Sequence, residues 1–222
     1  MTFELIVSLA IFALSTTLQP GPNNALLMAQ GLNFGMWRTL PAILGLSLGF
    51  VAMMLSVGFG LAAVFNVFQA LHTLLKLLSV IYLLYLAWRV ANASPRIGEA
   101  GARPMSFSEG IGVICLNPQG WVFATSFVTA YLVRSDLIQS VMTLTAVCGL
   151  ARFTGASAWA LFGASLRQLL KSPRAVRTLN ITMAVLMVAS LTPIVTDLAT
   201  ELLASKKAGS SRGSPLEWVL GR

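Results

Sequence analysis

Two segments of this sequence set proline beside asparagine within apolar surroundings: Gln19-Pro20-Gly21-Pro22-Asn23-Asn24 and Asn117-Pro118-Gln119-Gly120-Trp121. Proline has no backbone N–H and collides with the preceding helical turn, so each segment breaks a helix and frees carbonyls about one turn earlier. Gly21 adds conformational freedom at the first break. The carboxamides of Gln19, Asn23, Asn24 and Asn117 offer both donors and acceptors. The helix restarting after Pro22 presents free N–H groups and a positive dipole end, which suits a carboxylate. A structural kink capped by asparagine would use the same residues without any ligand, and both readings are open at this point. Trp121 serves either as an aromatic wall or as an interfacial anchor.

Arg152 is the third chemical feature. It falls near the centre of an apolar stretch, whereas Glu4, Glu109, Asp136, Asp197 and Glu201 fall near stretch ends. An isolated guanidinium at that depth is expensive, so it must face the interior and meet an anion, carbonyls or water. A substrate carboxylate is one such partner; broken-helix carbonyls or a snorkelling geometry are the structural alternatives. The candidate substrate-binding set is therefore Gln19, Pro20, Gly21, Pro22, Asn23, Asn24, Asn117, Pro118 and Arg152. No catalytic set, metal set or cofactor motif accompanies it. His72 is the only histidine and lies at the start of an apolar stretch, and no group of His, Cys, Asp and Glu has metal-ligand spacing.

The elements that position these residues follow from composition. With 56% hydrophobic and 10% charged residues and a mean hydropathy of +0.80, the chain reads as an all-α polytopic membrane protein. Six spans are predicted near 4–31, 40–66, 71–92, 108–133, 138–166 and 176–198, each long enough to cross a hydrocarbon core of about 30 Å. The longest connection, Ala93 to Phe107, carries Pro95, Arg96, Gly98, Glu99, Gly101, Arg103 and Pro104, the composition of a solvated linker. The organisation is thus 1–92, a first three-helix membrane repeat; 93–107, a linker; 108–198, a second repeat; and 199–222, a flexible tail rich in Lys, Gly and Ser. The first span starts with Glu4 and no Lys or Arg, so it reads as retained rather than as a signal peptide. Cys115 and Cys148 fall inside spans and read as small packing residues, not as a disulfide.

Each half runs in the same order: a broken span, a span bearing glycines (Gly45, Gly49; Gly149, Gly155, Gly163), then an apolar span entered through a polar stretch. Three spans per half is odd, so the halves cross the membrane in opposite senses as an inverted repeat, with broken helices 1 and 4. Chance similarity between apolar helices is the competing reading. Small residues at these spacings fit close helix packing better than ligand contact. Paired breaks at corresponding depths point to a transport site near the midplane.

The net charge of +8 does not indicate nucleic acid, because its distribution follows the membrane. Arg38, Arg89, Arg96, Arg103, Arg167, Lys171, Arg174 and Arg177 fall on one side of the spans, against Lys76 and Arg134 in the opposite short loops. The positive-inside rule places the first group in the cytoplasm and both termini outside.

Pro20-Gly21-Pro22-Asn23-Asn24, Gly31-Leu32-Asn33-Phe34-Gly35, Gly45-Leu46-Ser47-Leu48-Gly49-Phe50, Tyr82-Leu83-Leu84-Tyr85-Leu86-Ala87-Trp88-Arg89 and Asn117-Pro118 together resemble the LysE/RhtB family of amino-acid exporters, over about residues 3 to 198. Ser47-Leu48-Gly49-Phe50, Leu86-Ala87-Trp88-Arg89 and Trp159-Ala160-Leu161 look most like the branch exporting cysteine and O-acetylserine. The resemblance implies export of small amino acids or derivatives across the bacterial inner membrane, by exchange with protons or driven by membrane potential. The partners it implies are a small amino-acid substrate and the lipid bilayer; assembly as a homo-oligomer is left open. Met183 and Arg152 depart from the family pattern, so no role for Arg152 is carried over. A channel and a non-transport membrane enzyme are the alternative classes. An enzyme would need a nucleophile, base or metal set that this sequence lacks; a carrier differs from a channel in saturable, trans-accelerated flux.

Overall fold

Thr2 opens the first helix, α1 (Phe3–Leu18), its hydroxyl oxygen accepting the Leu5 N–H at 3.4 Å. Pro20 ends that helix, and Pro22, at the first position of α2 (Pro22–Phe34), starts the next. The two meet at 64°. The structure, a computed structural model, describes residues 1–60, 69–93, 103–170 and 172–211. After the Gly35 turn (φ 80°) come α3 (Met36–Gly58) and α4 (Gln69–Ala91).

The second half repeats the plan. Helix α5 (Phe107–Leu116) begins with a reciprocal capping box between Ser106 and Glu109. It breaks at Asn117, and α6 (Pro118–Tyr131) departs at 71°. A short 3-10 turn (Arg134–Asp136) leads to α7 (Leu137–Leu169), then α8 (Pro173–Ala189) and α9 (Thr192–Ser211). Four helical stretches are long and apolar enough to cross a membrane, and the two bent pairs bring the number to six. Among the described residues there is no strand, and the chain is an all-α membrane protein. The end of the expected second span, most of the linker at 93–107 and the last part of the expected tail fall outside the described residues.

One interruption was not legible beforehand. Within the expected sixth span, 176–198, α8 passes into α9 through a turn at Ser190 and Leu191, and Pro173–Thr200 remains one stretch long and apolar enough to cross a membrane. Pro193 cannot donate to the Ala189 carbonyl four residues back, and its ring would strike that carbonyl, so α8 stops there.

Packing between the halves is reciprocal. Helices α1 and α2 lie on α7, α5 and α6 lie on α3, α3 packs on α7, and α4 on α8. These main contacts pair corresponding helices of the two halves. Glycines make the close approaches possible. A Cβ on Gly31 would overlap the Ala160 carbonyl and one on Gly163 the Met28 carbonyl, between α2 and α7; between α3 and α5, Gly45 meets the Phe107 carbonyl and Gly110 the Ala42 carbonyl, the last at 2.6 Å.

Polarity is arranged inside out, as a lipid solvent demands. Leu150 is 68% exposed and Ile81 64%, whereas Arg152 is 7% exposed. At the arginine-rich end, Arg89 and Arg103 share Glu109 at 2.7 and 3.1 Å, tying α4 to the start of α5. Nearby, Gln30 Oε1 accepts the Met105 N–H at 3.0 Å.

Candidate functional site

The broken spans solve their lost backbone hydrogen bonds differently. At the first break, Asn24 turns back and its Nδ2 donates to the carbonyls of Thr17 at 2.8 Å and Gln19 at 2.7 Å. The single Thr17 hydroxyl proton is shared between the Leu14 carbonyl at 3.1 Å and the Ala151 carbonyl at 3.2 Å, which sets the break against α7 beside Arg152. The N-terminus of α2 stays open: Gly21 is its N-cap residue and supplies no side-chain cap. At the second break the closure is local. Asn117 Oδ1 accepts the Gln119 N–H at 3.0 Å, capping α6, and Trp121 Nε1 donates to the Cys115 carbonyl at 2.8 Å. Neither sequence-based role for Trp121 included this backbone bond.

Between the breaks lies a small, partly open cavity. Gln19, Pro20, Gly21, Pro22, Asn23, Asn24, Asn117 and Arg152 all line it. Pro118 does not line the cavity; it is buried at the first position of α6. With Thr16 and Thr17 of α1 and the residues named next, the lining comes from six helices and both halves. Phe50 of α3, Ile114 of α5, and Phe123 and Phe127 of α6 add apolar surface, and Thr16, Thr17, Gln119 and Gly120 make up the rest of the lining. Nothing distinguishes the four apolar side chains in sequence from their many apolar neighbours, because only helix rotation turns them inward.

The electrostatics of this space are one-sided. Arg152 Nε and Nη2 are buried and have no hydrogen-bond partner. No Asp or Glu is among the lining residues. Asn23 Oδ1 and Asn24 Oδ1 are likewise buried without a donor. A buried cation and buried acceptors left unpaired are costly. The cavity is chemically incomplete by itself and suited to a small polar solute that brings the missing groups.

Residues 14–190 match the LysE type translocator family. The chain belongs to that family. This LysE type translocator is 29% identical over 167 residues to a cysteine/O-acetylserine efflux protein of Klebsiella pneumoniae, covering 73% of this chain and 84% of that protein. It is 28% identical over 192 residues to the proteins of the same name from Escherichia coli K12 and Salmonella typhimurium, covering 85% of this chain and 96% of each. No solved structure matches the translocator.

Proposed function

We propose that this LysE type translocator is a secondary carrier that exports small amino acids or their derivatives from the cytoplasm across the bacterial inner membrane. The observation carrying the reading is the partly open cavity between the two broken spans, lined from both halves and by Arg152, whose buried guanidinium Nε and Nη2 have no hydrogen-bond partner. Discontinuous helices around a midplane site, in two inverted repeats, let one half rock against the other and expose the site to each side in turn. The small space between the breaks suits a small amino acid once the walls adjust. The named relatives are efflux proteins for cysteine and O-acetylserine, which makes those two compounds the first cargo to test.

Purified protein in proteoliposomes is the test, with L-cysteine and O-acetyl-L-serine first and a wider amino-acid panel after them, under an imposed pH gradient or potential. A carrier gives saturable uptake, accelerated by the same amino acid on the opposite side. Uptake that rises linearly with concentration and ignores the opposite side identifies a channel instead. Finding no amino acid transported would remove the reading altogether.

A further inference from the structure

We infer that a second cavity, at the arginine-rich end of the protein, binds the phosphate of an anionic phospholipid between α2 and α4, held by Arg89 and Arg103. The cavity is open, with Gln30 and Asn33 of α2 on one wall, Tyr85, Trp88 and Arg89 of α4 on the other, and Arg103, ahead of α5, beside them. It shares no lining residue with the cavity between the breaks, and the inference stands apart from the transport reading.

Charge points to an anion. Two guanidinium groups here share one carboxylate: Glu109 Oε1 accepts from Arg89 Nη1 at 2.7 Å and from Arg103 Nη2 at 3.1 Å, and Glu109 Oε2 accepts from Arg103 Nη1 at 3.1 Å. The three groups together carry one net positive charge. Each guanidinium has five N–H donors. Among the described residues, the bonds to Glu109 and to the Arg103 carbonyl use two donors on each arginine and leave the others for phosphate oxygens. The Arg103 side chain is 68% exposed, so an incoming phosphate reaches it without displacing Glu109. The facing wall is already committed, Gln30 Oε1 to the Met105 N–H and Asn33 to Asn180.

The aromatic rings place that anion at a membrane edge. Tyr82, Tyr85 and Trp88 follow one another three residues apart on α4, with neighbouring ring centroids 6.3 and 6.4 Å apart and the rings close to parallel. Tyr85 and Trp88 are exposed, as side chains at the headgroup level are. Deeper along the same helix, exposed Leu77, Ile81 and Leu84 continue the outer face into the hydrocarbon region, where an acyl chain attached to the bound phosphate would lie. Basic pockets between membrane helices take anionic headgroups in this way. A choline or ethanolamine headgroup fits less well. The Arg89 guanidinium lies over the Tyr85 ring, 5.8 Å from its centroid, so that ring face is taken, and the net positive charge repels a second cation.

The experiment titrates the delipidated full-length protein in neutral detergent with dioleoyl phosphatidylglycerol and reads the unfolding temperature, which a ligand of the folded state raises according to its affinity. Phosphatidylcholine with the same chains adds a cation to the phosphate, and glycerol 3-phosphate keeps the anion without the chains. Phosphatidylglycerol should bind about fivefold or more tightly than phosphatidylcholine, and glycerol 3-phosphate should give no shift at the same concentration. Arg103→Gln leaves Arg89 paired with Glu109 and should weaken phosphatidylglycerol binding about fivefold, the worth of one arginine near an anionic headgroup. Arg174→Gln removes the same charge from the exposed start of α8, outside the cavity, and should weaken it less than about twofold, since distant exposed charges are screened. Equal binding of the two phospholipids, or no shift with either, overturns the inference. An equal shift with glycerol 3-phosphate overturns it in favour of a soluble anion, and equal losses in the two variants overturn it in favour of general attraction to the basic end. None of these results bears on amino-acid transport.

Discussion

Asn33 and Asn180 exchange a pair of hydrogen bonds across 147 residues, Asn33 Nδ2 donating to Asn180 Oδ1 at 2.9 Å and Asn180 Nδ2 to Asn33 Oδ1 at 3.0 Å. Asn180 is fully buried, and the pair bolts α2 to α8. Ten residues of helix separate Asn33 from Asn23, about 15 Å along α2. The bolt thus braces the arginine-rich end, where Gln30, Asn33, Arg89 and Arg103 line the second, open cavity, while the cavity between the breaks lies at the other end of the same helix.

Breaking that bolt tests its role as a brace. Asn33→Ala and Asn180→Ala should each lower stability by about 0.6–2 kcal/mol, the range for hydrogen bonds between membrane helices. The double variant should lose less than the sum, because both changes remove the same pair. Thermal unfolding in detergent measures all three, and strict additivity would show that the two side chains act independently.

The three asparagines at the breaks should separate into different classes. Asn24→Ala takes the donor from the Thr17 and Gln19 carbonyls and should cost about 2 kcal/mol or more. Asn117→Ala removes a helix cap and should cost about 1 kcal/mol. Asn23→Ala breaks no hydrogen bond and should leave the unfolding temperature near that of the parent while transport falls. Measuring uptake and unfolding on the same preparations checks the order; a destabilised Asn23→Ala would assign that residue to the scaffold.

Orientation follows from the eight-to-two distribution of positive residues over the short loops. With Cys115 and Cys148 replaced, a cysteine at Ser172 should be shielded from impermeant thiol reagents in intact cells, and one at Ser135 should react. Both positions are exposed in the fold, so burial does not account for a difference. The opposite labelling pattern would invert the topology.

Close packing of glycine against backbone gives a fourth test. Gly163→Ala places a methyl group against the Met28 carbonyl and Gly45→Ala one against the Phe107 carbonyl. Overpacking of this kind costs about 1–3 kcal/mol. Gly21→Ala adds a methyl group where nothing lies within 4 Å and should be tolerated sterically. Folded yield and unfolding temperature distinguish the two kinds of site.

The broken spans were readable because their cause is local: Pro20, Pro22 and Pro118 act on their own helical turn, and the neighbouring asparagines identify themselves. Arg152 was readable because one charge in an apolar run has few tolerable places. The Asn33–Asn180 bolt and the Trp121 bond to Cys115 were not, because each depends on helix rotation or side-chain rotamer rather than on spacing. The apolar surface of the cavity between the breaks was hidden for the same reason. Pro193 was visible, but a hydropathy window averages across it, and the turn after α8 escaped notice.

The two breaks are matched in position and unmatched in bracing, and this bears on the energy of the transport cycle. In an inverted repeat, the state open to the other side arises when the halves exchange conformations. With identical halves, the two states would be isoenergetic. Here the first break is anchored across to Ala151 and left uncapped, whereas the second is sealed by its own Asn117 and Trp121. In the carrier proposed above, trading conformations would therefore not trade equal interactions, and the empty protein would favour one resting side before any ion gradient acts on it.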